Sequence, residues 1–274
     1  MEWMLHHVNV PAHRVKETAA FLRDVVGLPE GRWIYPEKAG NLHHDEDGIA
    51  YFGIENRGLH VVRSIPTFAR DNGFFHNPTI GGHFALSVNN LDGVKQRLDK
   101  AEVFYSDAGI YAMSGIHQIY LYDPSFNMIE VNQIKSRLPE KALSDQDPVA
   151  DVPLHHVAIP AHDLRQSADF FSVLLGLGRF DMVGDDMVCF EQANGAVRLI
   201  KPRVTYARDH DLLINPTLEP SFAMTMPDLG AIRQRLDDAR ITYSEAPDDP
   251  CDRSDRIFAY TPSLRLVALH QTSN

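Results

Sequence analysis

One feature constrains this chain more than any other: it repeats itself. The segment LHHVNVPAHRV at Leu5–Val15 returns as LHHVAIPAHDL at Leu154–Leu164. Each copy runs into an apolar-periodic stretch that ends in Gly-Leu, at Gly27-Leu28 and at Gly176-Leu177. Farther along, Pro66–Val88 matches Arg203–Met226, LDGVKQRLDKA matches LGAIRQRLDDA, and DPSFNMIEVNQ at Asp123–Gln133 matches TPSLRLVALHQ at Thr261–Gln271. A repeat this long is one structural unit used twice. The copies lie farther apart at their starts than at their ends, which places one insertion in the first copy, most simply in the polar, turn-rich Glu30–Gly48. The expected organisation is a first domain over residues 1–134, a polar linker over 135–152 and a second copy over 153–274. A chain of 274 residues suits two domains of ordinary size.

Within each copy a short alternating strand, His7 and Asn9 against Val8 and Val10, leads into a helix with Val15, Ala19, Leu22 and Val26 on one face. Three strand-like runs follow. The same order starts again at His83 with HFALSV, a helix carrying Leu91, Val94 and Leu98, and strands through IYLYD and MIEVNQ. Each domain is thus two βαβββ units, and helices packed on antiparallel-rich sheets make the chain α+β. The GxGxxG turn of a doubly wound dinucleotide fold is missing.

Charge narrows the partners. Lys+Arg 26 against Asp+Glu 37 leaves −11, a balance that repels phosphate backbones and anionic lipid, so neither nucleic acid nor membrane is expected. Two cysteines, Cys189 and Cys251, make no disulfide framework and no paired zinc knuckle. MEWMLHHVNV has neither the basic start nor the apolar run of a secretory signal, and a cytoplasmic protein is expected. The 14 His stand out, because imidazole is both the commonest metal ligand and a frequent acid/base group.

The combination of LHHVNV with its helix and Gly-Leu, GGHFALSV before an amphipathic helix, and IYLYDPSFNMIEV resembles the vicinal oxygen chelate superfamily. That superfamily includes glyoxalase I, type I extradiol ring-cleaving dioxygenases, and fosfomycin- and bleomycin-resistance proteins. The resemblance covers nearly the whole chain. It implies a curved sheet around one divalent metal held by His7, His83 and Glu130, two imidazoles and a carboxylate that leave positions open for substrate. His6 is set aside in favour of His7, since neighbours on a regular strand face opposite ways. In the second copy His156 matches His7, but Ser221 stands at the place of His83 and Ala268 at that of Glu130. One metal per chain, in the first domain, is the consequence. The second domain is left as scaffold, as part of the substrate pocket or as an oligomer interface, with homo-oligomerisation open.

Extradiol enzymes carry a Tyr ten residues before the ligand Glu, and Tyr120 occupies that place. The same pattern has a His where Tyr111 stands and a Gly where Phe126 stands, two departures. A supporting acid/base His belongs on the strand before the second unit, where His60 lies, with His76 as the second choice. The resemblance therefore implies an extradiol-type dioxygenase acting on a small catechol-like chelating substrate with Fe(II) favoured; Mn(II), Mg(II), Zn(II) and Ni(II) suit the same ligands. Tyr120 and His60 are the expected catalytic groups. A glyoxalase-type lyase or isomerase is the main alternative, but it takes a carboxylate from the strand that here reads GLHVVRS. An antibiotic-binding or transferase protein is a third. The run His43–Asp47 reads as an exposed polar loop.

Overall fold

The computed structural model describes residues 3–33, 48–54, 57–110, 115–134, 154–192, 194–245, 255–262 and 264–271. The expected linker and most of the insertion lie outside these residues. Two mixed sheets carry the fold. The first has seven strands: β1 (Trp3–Ala12), β2 (Ile49–Ile54), β3 (Arg57–Arg63), β4 (His83–Val88), β5 (Tyr105–Gly109), β6 (Ile116–Tyr122) and β7 (Met128–Ile134). Their spatial order is β2-β3-β1-β4-β7-β6-β5. The second has eight: β8 (Leu154–Pro160), β9 (Asp181–Val183), β10 (Met187–Gln192), β11 (Gly195–Ile200), β12 (Ser221–Met226), β13 (Tyr243–Glu245), β14 (Arg256–Tyr260) and β15 (Leu266–Gln271), in the order β13-β14-β15-β12-β8-β11-β10-β9. In both, the opening strands of the two units lie antiparallel at the centre, and each pairs in parallel with the last strand of its own unit. This is the α+β arrangement of paired βαβββ units. Among the described residues, β2 and β3 follow the first helix, and an isolated bridge from Gly31 to Tyr51 stands where the second domain has β9.

Period-2 patterning divides each sheet into two faces. Val8, Leu59, Phe84, Leu86, Ile119 and Val131 turn one way, as do Val157, Val197, Phe222 and Leu269 in the second sheet, and all belong to one continuous core with the helices. The residues between them, His7, His60, His83, Tyr120 and Glu130 among them, turn the other way. Burial of the apolar face fixes the register, because a one-residue slip would exchange the two sets.

The Gly-Leu signal has a local cause. Gly27 closes the first helical segment, Val15–Ala20 continued by a wider turn over Phe21–Val26, in the left-handed conformation (φ 89°). The Leu28 N–H then donates to the Leu22 carbonyl at 2.9 Å, and its side chain is buried. Gly176 (φ 78°) and Leu177 repeat the arrangement. Glycine meets no Cβ penalty there, and the following apolar residue seals the end.

The domains also clasp one another by matched arginines. Arg97, on the helix Leu91–Lys100, donates through Nε to the Leu174 carbonyl at 2.8 Å. Arg235, on Leu229–Asp238, donates likewise to the Val25 carbonyl at 2.6 Å. Each guanidinium meets the carbonyl end of a helix in the other domain, where cations are favoured.

Candidate metal centre

Three neighbouring strands build the site. In register, His7 of β1 pairs with Ala85 of β4, and Ala85 pairs with Glu130 of β7. His83, two residues before Ala85, shares its face. One atom each from His7, His83 and Glu130 lies within 4.8 Å of the others, and all three residues are buried. His7 Nε2 is 3.5 Å and His83 Nε2 3.4 Å from the same carboxylate oxygen, Glu130 Oε2. The small side chain at Ala85 leaves space between the ligand atoms.

The electrostatics suit a cation. Burial alone raises the Glu130 carboxyl, but the His7 and His83 imidazoles facing it outweigh burial and hold it well below the usual carboxylate range. Burial lowers His83 in spite of that carboxylate, which favours its neutral, ligating form. His83 Nε2 is buried and has no hydrogen-bond partner, a cost that an ion at this point removes. The donor set, two imidazole nitrogens and one carboxylate oxygen, fits a divalent transition metal with open positions.

Tyr120 and Glu130 are direct cross-strand partners on β6 and β7. The ten-residue spacing has this geometric reason: the turn Asp123–Asn127 reverses the chain and brings the two side chains together on one face. Asp123 Oδ1 accepts from the N–H groups of Ser125 and Asn127 at 2.9 and 2.8 Å, which shapes the turn. Phe126 sits in it at φ 63°, and Leu264 at φ 58° in the second copy. The position favours glycine, so the departure from Gly changes the residue but not the turn. The Tyr120 ring lies edge-on to His83 at 5.4 Å. Gln118 bridges it to the carboxylate: with its amide nitrogen turned inward it donates to the Tyr120 hydroxyl at 3.0 Å and to both Glu130 oxygens at 3.1 Å. Asn132 donates to Glu130 Oε1 at 2.8 Å.

His60 stacks on the His7 ring, with centroids 3.8 Å apart and planes at 23°. Trp33 meets His60 edge-on at 4.4 Å, so this side of the site is closed by aromatic rings. His76 is not brought into the cluster; it lies beside the Tyr122 ring and is bonded through Nδ1 to Ser106 Oγ at 2.8 Å. Tyr111 and His43–Asp47 lie outside the described residues. Sequence reasoning missed Gln118 and Asn132, although each lies two residues from Tyr120 or Glu130 and therefore shares their face. The choice of His7 over His6 agrees with the cluster, but the reason for it, opposite facing, does not hold. A β-bulge between Leu5 and His7 interrupts the alternation, so the neighbours do not face opposite ways; their Nδ1 atoms meet at 2.9 Å. Bulges redirect side chains in this way, and the second copy repeats the contact between His155 and His156 at 2.8 Å.

A cavity of about 330 Å³ between the domains touches the site only at His83; its wall is otherwise made by core-facing residues such as Val8, Phe84 and Val157 with Ser221, Phe222 and Arg265 of the second domain, and it includes neither His7 nor Glu130. In the second sheet the positions of His83 and Glu130 hold Ser221 and Ala268, and those of Gln118, Asn132 and His60 hold Arg256, His270 and Arg198. Among the described residues, His7, His83 and Glu130 form the single cluster of this kind.

Compared with family sequence profiles and with curated protein sequences, the chain finds no match. Solved structures do match. A catechol 2,3-dioxygenase aligns over 99% of this chain and 88% of its own, with TM-score 0.62 and 12% identity. The chain carries the vicinal oxygen chelate fold. An extradiol ring-cleaving dioxygenase from B. fuscum shares that fold over 100% of this chain and 72% of its own (TM-score 0.61, 11% identity). The Mn(II)-bound glyoxalase from Novosphingobium aromaticivorans does so over 98% and 81% (TM-score 0.60, 14% identity). Among the described residues, no helix is long and apolar enough to cross a membrane.

Proposed function

We propose that this protein is a metal-dependent dioxygenase of the extradiol type, acting on a small catechol-like substrate. The observation that carries the reading is the buried His7, His83 and Glu130 set with Tyr120 directly across the strand from Glu130. A bound Fe(II) would supply a centre where vicinal oxygens of a diol and molecular oxygen meet. His7, His83 and Glu130 would hold that ion on one side. Asn132 and Gln118 keep the carboxylate oriented and ionised through their amide N–H groups. With Gln118 turned to donate to its oxygen, the Tyr120 hydroxyl would donate toward a bound substrate oxygen. His60 braces the plane of His7 and is the imidazole proposed to accept a proton from the diol. Trp33 and Tyr51 exclude water from that side, which strengthens each of these interactions.

The lyase reading calls for a carboxylate on β3. That strand reads Arg57–Arg63 without an acid, which favours ring cleavage. The test is protein purified without oxygen, reconstituted with Fe(II), and mixed with a panel of catechols and oxygen. A yellow ring-opened product with one molecule of O2 consumed per turnover supports the proposal. Turnover of hemithioacetals with Ni(II) or Zn(II), and none of catechols, refutes it.

A further inference from the structure

A second cavity, of about 450 Å³, lies at the seam between the domains; its wall includes neither His83 nor Glu130, and it meets the metal centre only through His6, which touches His7. Its walls come from matched positions in the two copies: His6 with His155, and Gly58 with Ala196. Two guanidiniums join them, Arg57 at the start of β3 and Arg198 on β11. The only carboxylate in the wall among the described residues is Glu191, which is exposed. We propose that this seam cavity is a binding site for a small oxyanion, a carboxylate or phosphate group gripped between Arg57 and Arg198.

Three observations converge on it. First, the wall holds hydrogen-bonding capacity that the protein does not use: Arg57 Nε and His6 Nε2 are buried without a partner. Buried donors left in this state cost free energy that a ligand oxygen recovers. Second, the duplication reversed the charge of the second sheet. Where the first domain has Glu130 flanked by neutral Gln118 and Asn132, the second has Ala268 flanked by Arg256 and His270, and His60 has become Arg198. The second copy lost its carboxylate and gained two guanidiniums, with Arg198 only 3% exposed and Arg256 8%. The places of the candidate ligands His83 and Glu130 hold Ser221 and Ala268, and the neighbouring places of Gln118 and His60 hold guanidiniums, of which Arg198 lines the cavity. Third, Arg198 is kept in place by the second-copy histidine: its Nη1 lies 3.4 Å from His156 Nε2. Burial, together with Arg198 and the neighbouring cations, holds His156 well below the usual imidazole range, so it is neutral and accepts from the guanidinium. Planar guanidinium forks match carboxylate and phosphate oxygens two at a time, which sets the chemical class. The volume leaves room for a small organic body behind the anionic group.

The experiment titrates the full chain with sodium phosphate and, separately, sodium acetate, against sodium chloride at matched ionic strength, following melting temperature and heat of binding. One of the two oxyanions is expected to raise the melting temperature saturably while chloride does not, and which one does so distinguishes phosphate from carboxylate. Arg57→Gln and Arg198→Gln should each weaken binding at least about tenfold, the loss of a charge-assisted contact. Glu191→Gln should tighten it, and metal content should not change in any of them. If Arg198→Gln does not fold, Arg57→Gln, at the half-buried end of its strand, decides the matter. Absence of a saturable response, or a response retained in Arg57→Gln, overturns the proposal.

Discussion

Replacing Asn132 with Ala removes one hydrogen bond from a metal ligand and leaves the ligand itself in place. In the structure Asn132 Nδ2 donates to Glu130 Oε1 at 2.8 Å, with both residues at most 1% exposed, so water cannot substitute. A hydrogen bond to a charged acceptor contributes about 1.5–3 kcal/mol. Removing a group that orients a metal ligand costs roughly 10–100-fold in affinity, or about 1.4–2.7 kcal/mol. The two estimates agree, so Asn132→Ala should weaken divalent metal binding by one to two orders of magnitude. The metal-free protein should lose about 1–3 kcal/mol as well, because the Ser87 hydroxyl now bonded to Asn132 loses its acceptor. The assay is calorimetric titration of chelator-treated protein with Mn(II), paired with urea unfolding. The same substitution made in a Glu130→Gln background should have little further effect on affinity, since it acts through the carboxylate. Affinity within about twofold of the parent, with the fold intact, would refute the reasoning.

Three other outcomes follow from the same geometry. Arg97→Ala and Arg235→Ala should each lower the unfolding free energy by about 1–3 kcal/mol in urea without altering metal content; loss of metal instead would mean that the clasp shapes the site. Burial first, then His7 and Arg57, lowers His6 from 6.5 to about 3, and burial with neighbouring cations depresses His156. The unfolded chain therefore takes up these protons first. Their contribution is complete above the unfolded value of 6.5 and is lost as pH falls toward 3, so the urea midpoint of metal-free protein should drop between about pH 7.5 and 5.5, and a flat or rising midpoint contradicts this. Tyr120→Phe should cut catechol turnover by about 10²–10⁴ with unchanged metal content, and unaltered turnover removes Tyr120 from the chemistry.

Much of this was legible in the chain because the repeat and the period-2 alternation are both properties of sequence. The alternation put His7 opposite Val8 and Val10, the family resemblance supplied His83, Glu130 and Tyr120, and the Ser221 and Ala268 positions of the second copy singled out one domain. What escaped has physical causes. The contact of His6 with His7 escaped because alternation assumes a regular strand, and the bulge at Leu5–His7 is invisible in residue types alone. Gln118 and Asn132 look like ordinary strand amides until pairing places them beside Glu130. The stacking of His60 on His7 depends on β3 lying parallel to β1, which strand order decides and local pattern does not. The seam cavity needs both domains packed on a shared core, and residues such as Arg57 and Arg198, far apart in sequence, meet there only after that packing.

The most direct measurement is anomalous diffraction from crystals of the full chain soaked with Mn(II). A single peak bounded by His7, His83 and Glu130, with no peak at His156, Ser221 and Ala268 and none in a Glu130→Ala crystal, is the expected result. A peak in the second domain, or one that persists without Glu130, contradicts the account.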